Sequence, residues 1–300
     1  MSSGRSSRLS RMTASGPTPA PTTPLIGAAL PTAGAGVTPD DIVTVAQTAE
    51  RLGLASIWAF ERLLRTVSAD GENPYGLPPY YASVLDPLEA LTWAAAHTSR
   101  VRLGTSVLDT LFHPPVVLAK RIATLDLLSG GRAVIGVGQG WMPEEFAATG
   151  VPLSRRGAGF EDHLAAMRAC WEPDPVEYEG TTYAIARSEI GPKPAAGRVP
   201  LLIGANARPS IERAARIGDG FAPVLMDWDT TATELRWYRD AGGAGPVVLR
   251  LNVTDAAAIA TDLERAAAHG IDEVLVELAL TGLDVPAQCE VLEELAAARR

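Results

Sequence analysis

The stretch Leu103-Gly104-Thr105-Ser106-Val107-Leu108-Asp109-Thr110-Leu111-Phe112-His113-Pro114-Pro115 decides how the chain is read. Val101, Leu103, Thr105 and Val107 repeat with the period of two of a strand. After Pro114-Pro115 the apolar positions Val117, Leu118, Ile122 and Leu125 recur every three or four residues, as on a helix. A strand therefore delivers a short polar turn to one end of a sheet, and a helix carries the chain away. The loop after the carboxyl end of a strand is where α/β proteins keep their chemistry.

Working outward, the same unit returns eight times. Strand candidates begin at Leu25, Ala55, Val101, Ala133, Val199, Gly220, Pro246 and Glu273; the helices that follow start near Thr38, Asp86, Pro114, Ala158, Pro209, Thr230, Asp255 and Asp284. Alternating strands and helices imply parallel strands joined by right-handed crossovers, and eight units close a barrel. The expected fold is α/β, a (β/α)8 TIM barrel, with an insertion between the fourth and fifth strands that includes a small hairpin over Val176 to Ile185. An open doubly wound sheet is the alternative, but no dinucleotide fingerprint stands at the first crossover. Boundaries carry their own signals: Thr38-Pro39-Asp40-Asp41 offers an N-cap, a first-turn proline and acids suited to the helix dipole, and Gly53 offers the stop.

Residues 1–24, rich in Ser, Pro, Thr and Arg, read as a disordered tail in which Met12 offers a second possible start. Residues 25–300 read as the barrel domain. The tail lacks the apolar core of a signal peptide, and the expected location is the cytoplasm. A formal net charge of −9 and a pI near 5.0 argue against nucleic acid and anionic membrane as partners. Cys170 and Cys289 define neither a disulfide framework nor a metal motif, and the four histidines are scattered, so no metal is expected.

Several strand ends gather candidate chemistry. Gly136-Val137-Gly138-Gln139-Gly140-Trp141 fails the G-x-G-x-x-G pattern, because a glycine is required where Trp141 stands. It remains a glycine-lined strand end against which a planar ring can lie, or one whose glycines relieve crowding. Gly204-Ala205-Asn206 precede a helix with an early proline, whose free N–H groups suit a phosphate. Glu61 and Arg62 follow the second strand, either as binding groups or as a local ion pair with each other or Arg65. Arg250 and Glu277, on neighbouring strands, can form a buried pair. Trp141-Met142-Pro143-Glu144 offers an aromatic wall and a carboxylate.

Ser56–Leu64, Val101–Asp126, Gly131–Trp141 and Ala214–Phe221 together resemble the luciferase-like monooxygenase superfamily, in its actinobacterial branch of oxidoreductases that use the deazaflavin coenzyme F420. The resemblance runs in order from about Leu25 to Val224. It implies an enzyme, usually a homodimer, holding a flavin or deazaflavin in the barrel mouth, with a non-proline cis peptide at Ser106-Val107 behind the cofactor's middle ring. It places Asp109 and Glu144 near the ring or its side chain, and Gly204, Ala205 and Asn206 around the phosphate; Gly138, Gln139 and Trp141, on the glycine-lined strand end, are expected as further cofactor contacts. Two departures stand out. Relatives that emit light or oxidise sugar phosphates carry a histidine where this chain has Arg62, and some carry a glutamate at Trp141. The implied activity is hydride transfer between the C5 position of F420 and a small organic substrate, with Glu61 in an acid/base role and Arg62 binding an anion. The alternatives are an FMN-dependent monooxygenase and a barrel that binds a cofactor without catalysis.

Overall fold

A computed structural model describes residues 23–299. Most of the expected tail lies outside the described residues. Ten strands are formed: β1 (Leu25–Ala29), β2 (Ser56–Ala59), β3 (Arg102–Asp109), β4 (Ala133–Gly138), β5 (Val176–Glu179), β6 (Ala184–Ser188), β7 (Leu201–Ile203), β8 (Gly220–Phe221), β9 (Val248–Asn252) and β10 (Glu273–Glu277). Eight of them form one parallel sheet in the order β8-β7-β4-β3-β2-β1-β10-β9. Parallel bridges Phe221–Val247 and Val224–Arg250 join its two ends. The sheet is thus a barrel rather than an open doubly wound sheet, and the antiparallel β5–β6 hairpin is the insertion between the fourth and fifth barrel strands.

The helices are α1 (Pro39–Leu52), α2 (Pro87–Ala96), α3 (Pro115–Ser129), α4 (Pro143–Thr149), α5 (Ala158–Ala169), α6 (Arg208–Ile217), α7 (Trp228–Asp240), α8 (Ile259–Ala268) and α9 (Val285–Ala297). The Thr38 hydroxyl accepts the Asp41 N–H while the Asp41 carboxylate accepts the Thr38 N–H, and Gly53 stops α1 in the left-handed region. The barrel strands expected at Val199 and Pro246 begin two residues later. Pro200 and Pro246 have no N–H to donate to a ladder, so each enters the sheet only through its carbonyl. The short α4, inside the long fourth loop, was not expected.

Two cores result. The large one lies between sheet and helices; the small one, Trp58, Leu202, Ala222, Val248 and Leu275, plugs the barrel itself. Gly104 exists to admit that plug, since a Cβ there would stand 2.3 Å from the Trp58 ring. Below it the Trp58 indole donates to Ser56 Oγ at 2.5 Å, Ser56 donates to Glu273, and Arg102 closes on the same carboxylate. With the floor sealed in this way, the carboxyl ends of the strands open to the cavity of the candidate site, and a separate cavity lined by Arg102, Arg132, Ala133, Val134 and Pro200 lies at the amino ends of β3, β4 and β7. No helix among the described residues is long and apolar enough to cross a membrane.

Candidate active site

The pairing of β3 with β4 slips between Thr105 and Leu108, and the peptide between Ser106 and Val107 is cis. The resulting bulge lifts Val107 over the plug, where glycines surround it. A Cβ on Gly136 would lie 2.0 Å from the Thr105 carbonyl; one on Gly138, 2.7 Å from Val107 Cγ2; one on Gly204, 2.9 Å from Val107 Cγ1. These glycines make room for the bulge and leave a shallow apolar seat above it. Arg250 fixes the bulge from the far side, donating to the Ser106 carbonyl at 2.9 Å and to Glu277 at 3.3 Å, with its guanidinium 4.6 Å from the Phe60 ring centre.

That seat is the base of a cavity of about 250 Å3. Of the residues expected in the site, Glu61, Arg62, Ser106, Val107, Asp109, Gly138, Gln139, Trp141, Gly204, Ala205 and Asn206 all line it. Glu144 does not. Its carboxylate accepts the Tyr75 phenol at 2.8 and 3.1 Å, on the loop that runs over the mouth between β2 and α2. The neighbouring Glu145, fully buried, takes Arg62 at 2.8 Å and the Leu63 N–H at 2.9 Å. Neither local ion pair considered for Glu61 and Arg62 forms, and Arg65 donates to the Leu77 carbonyl.

Glu61 is committed on both oxygens. One accepts the Asp109 N–H at 2.7 Å and the other meets His113 Nε2 at 2.6 Å. Burial works against the charged imidazolium of His113, but the hydrogen bond and charge of Glu61 outweigh it and raise the pKa. His163 Nε2 donates to the His113 carbonyl at 2.8 Å. Burial lowers the pKa of His163 to about 4, so it stays neutral, leaving Nδ1 without a partner among the described residues.

Asp109 behaves differently. Its carboxylate accepts the Gly140 N–H at 3.1 Å, and desolvation, then the charges of Glu61 and Glu145, raise its pKa to about 7 despite Arg62. The result is a cavity carboxyl that can give or take a proton near neutrality. At the other edge, Ala205 and Asn206 precede α6, and their N–H groups bond no other described protein group. Ser210 and Arg156 line the cavity with them. Buried Nε atoms of Arg62 and Arg250 also lack partners. A flat ring on the Val107 seat and a phosphate at the start of α6 fit these residues.

Sequence reasoning missed Glu145, Arg156 and the role of His113. His113 lies on the same strand-to-helix loop as Asp109, which was a usable signal. Glu145 gave none, because only the phase of α4 distinguishes it from Glu144.

The model of the luciferase-like monooxygenase family matches residues 22–282. The uncharacterized protein Rv0953c of Mycobacterium tuberculosis (strain ATCC 25618 / H37Rv) is 34% identical over 259 residues, 83% of this chain and 90% of its own. The F420-dependent glucose-6-phosphate dehydrogenase of Amycolatopsis mediterranei (strain U-32) is 33% identical over 190 residues, 61% of this chain and 53% of that relative, so the chain spans about half of it. Among solved structures, the monooxygenase RslO1 from Streptomyces bottropensis superposes with a TM-score of 0.74 at 23% identity, covering 91% of this chain and 98% of that one.

Proposed function

We propose that this chain, which belongs to the luciferase-like monooxygenase family, is an oxidoreductase that uses coenzyme F420 to move a hydride to or from a small organic substrate. The observation that carries the reading is the register shift of β3 at Ser106–Val107, walled by Gly136, Gly138 and Gly204, in a cavity that also reaches the free N–H groups at the start of α6. The likeness to F420-dependent dehydrogenases favours the deazaflavin over FMN.

When bound, the cofactor supplies hydride chemistry at C5. The chain supplies the rest. Val107 and the strand end at Gly138 seat the ring, Ala205, Asn206 and Ser210 receive the phosphate, and Trp141 walls the cavity against water. Asp109 is the group that holds or releases a proton at the substrate side. Glu61, whose oxygens are already occupied, positions Asp109 and His113 rather than exchanging protons itself. We carry the homodimer in the same reading, since α3 leaves Val117, Leu127 and Leu128 exposed; light scattering of the purified protein tests it.

Titration of the purified protein with F420 and with FMN, followed by absorbance and fluorescence, tests the proposal. Saturable F420 binding with substrate-dependent turnover is expected. Tight FMN binding with no F420 binding overturns it in favour of a flavin monooxygenase, and F420 binding without turnover across alcohols and ketones leaves a binding protein.

A further inference from the structure

The charges around the cavity cancel pair by pair. Arg62 faces Glu145 at 2.8 Å, with side chains 10% and 1% exposed, and Arg250 faces Glu277 at 3.3 Å, with side chains 8% and 5% exposed. His113 faces Glu61 at 2.6 Å. Asp109 contributes negative charge or none. Among the described residues lining the cavity, the one cation without a carboxylate partner is Arg156, which lines it together with Ala205, Asn206 and Ser210. The single anion seat is therefore the one the cofactor phosphate takes in the function proposed above, on which this inference rests. Away from it the wall is Phe60, Tyr81, Trp141, Val224 and Met226. Phe60 and Tyr81 meet edge to face at 5.4 Å, and Tyr80 stacks on Tyr81 at 4.3 Å.

We infer that the substrate is an uncharged, planar, largely apolar molecule bearing a carbonyl or hydroxyl oxygen, and not a sugar phosphate or a carboxylate. An anion placed beside Arg62 or Arg250 must compete with a buried carboxylate already bonded to that guanidinium, and it loses its hydration on entry. A neutral oxygen needs only one donor. The Tyr81 ring and the apolar side chains of Val224 and Met226 line the rest of the cavity, where a flat apolar body is buried without desolvating a charge.

The test uses two probes of one shape, acetophenone and 4-acetylbenzoate, with glucose 6-phosphate as a third. Each is titrated into the cofactor-loaded protein and followed by cofactor fluorescence. Acetophenone is expected to bind at least about tenfold more tightly than 4-acetylbenzoate, which is about 1.4 kcal/mol, and glucose 6-phosphate is expected not to compete. Glu145→Gln keeps an acceptor for the Leu63 N–H while releasing the Arg62 charge, and it should narrow the gap between the first two probes. Tyr81→Ala should weaken both aromatic probes alike. Equal or tighter binding of either anion overturns the inference, as does binding of neither aromatic probe. Failure to bind F420 sinks the function proposed above. The probe comparison, run on protein loaded with whichever of F420 or FMN it takes, tests the substrate class separately.

Discussion

The barrel carries a charged layer at each end of its apolar plug, and the two layers are built to opposite ends. At the floor, Ser56, Trp58, Arg102 and Glu273 form a chain in which each side chain meets another. At the mouth, Arg62–Glu145, Arg250–Glu277 and Glu61–His113 are also paired, yet the Nε atoms of Arg62 and Arg250 and the Asn252 Oδ1 are buried without partners. An unsatisfied buried polar atom costs on the order of 1–3 kcal/mol. A layer that satisfies itself serves folding; under the function proposed above, the mouth, where the cavity opens beside the unmet atoms, is the layer that serves a ligand.

The largest expected loss of stability comes from breaking the floor. Glu273→Ala removes the acceptor of Arg102 and Ser56; because the Arg102 side chain is 41% exposed and only the carboxylate end of the pair is buried, stability should fall by roughly 2–3 kcal/mol in denaturant titration. Cofactor affinity of the fraction that remains folded should stay within about twofold, since Glu273 lies on the far side of the plug from the cavity. A tenfold loss of affinity in that variant would mean that the two layers are not independent.

The mouth should respond the other way. Gly138→Ala puts a Cβ 2.7 Å from Val107 Cγ2 and 2.9 Å from Asp109 Oδ1, so one of these two cavity-lining side chains must shift. Cofactor affinity should drop about tenfold or more, or ~1.4 kcal/mol, with a smaller change in unfolding free energy.

Asp109 separates the layers by pH. Its folded pKa, about 7, stands above that of an unfolded aspartate, near 3.9, so the stability it contributes is present in full below about pH 4 and is lost as pH rises to about 7. His163 runs in opposition. With a folded pKa near 4 against about 6.5 unfolded, it favours folding above pH 6.5 and withdraws that support as pH falls. Only a difference between variants isolates Asp109. Asp109→Asn should gain on the wild type by up to roughly 4 kcal/mol between pH 4 and 7, and lose the ionisation near 7 from the pH dependence of kcat/KM. A wild-type profile unchanged in Asp109→Asn would place proton transfer elsewhere.

How far these layers were legible in the sequence follows from what local pattern encodes. The eight units, and every strand end that reaches the mouth, follow from periodicities of 2 and 3.6 and from Pro and Gly punctuation, which act within a few residues. The Arg250–Glu277 pair was readable for the same reason, because parallel neighbours share a register. The floor was not: Glu273 reads as a strand opening, and its meeting with Ser56 and Arg102 depends on barrel closure across 217 and 171 residues of sequence. Glu145 was missed on a finer scale, since the angular phase of the seven-residue α4 decides which of two adjacent glutamates turns inward.

The smallest expected effect lies where the mouth meets the long loop over it. Tyr75 reaches Glu144 at 2.8 Å and sets its ring edge 5.1 Å from Trp141, which in turn lies 5.2 Å from the Arg62 guanidinium. Tyr75 and Trp141 are both partly exposed, at 38% and 42%, so the contact is solvent-screened and adds little to folding. Tyr75→Phe keeps the edge contact and removes only the tie to Glu144; the thermal midpoint should not move measurably. If the loop holds Trp141 as a wall of the cavity, KM for the neutral substrate should nevertheless rise by about threefold with kcat unchanged, the signature of lost uniform binding. An equal fall in kcat would instead carry the loop into the chemistry, and extend the unfinished layer beyond the rim of the barrel.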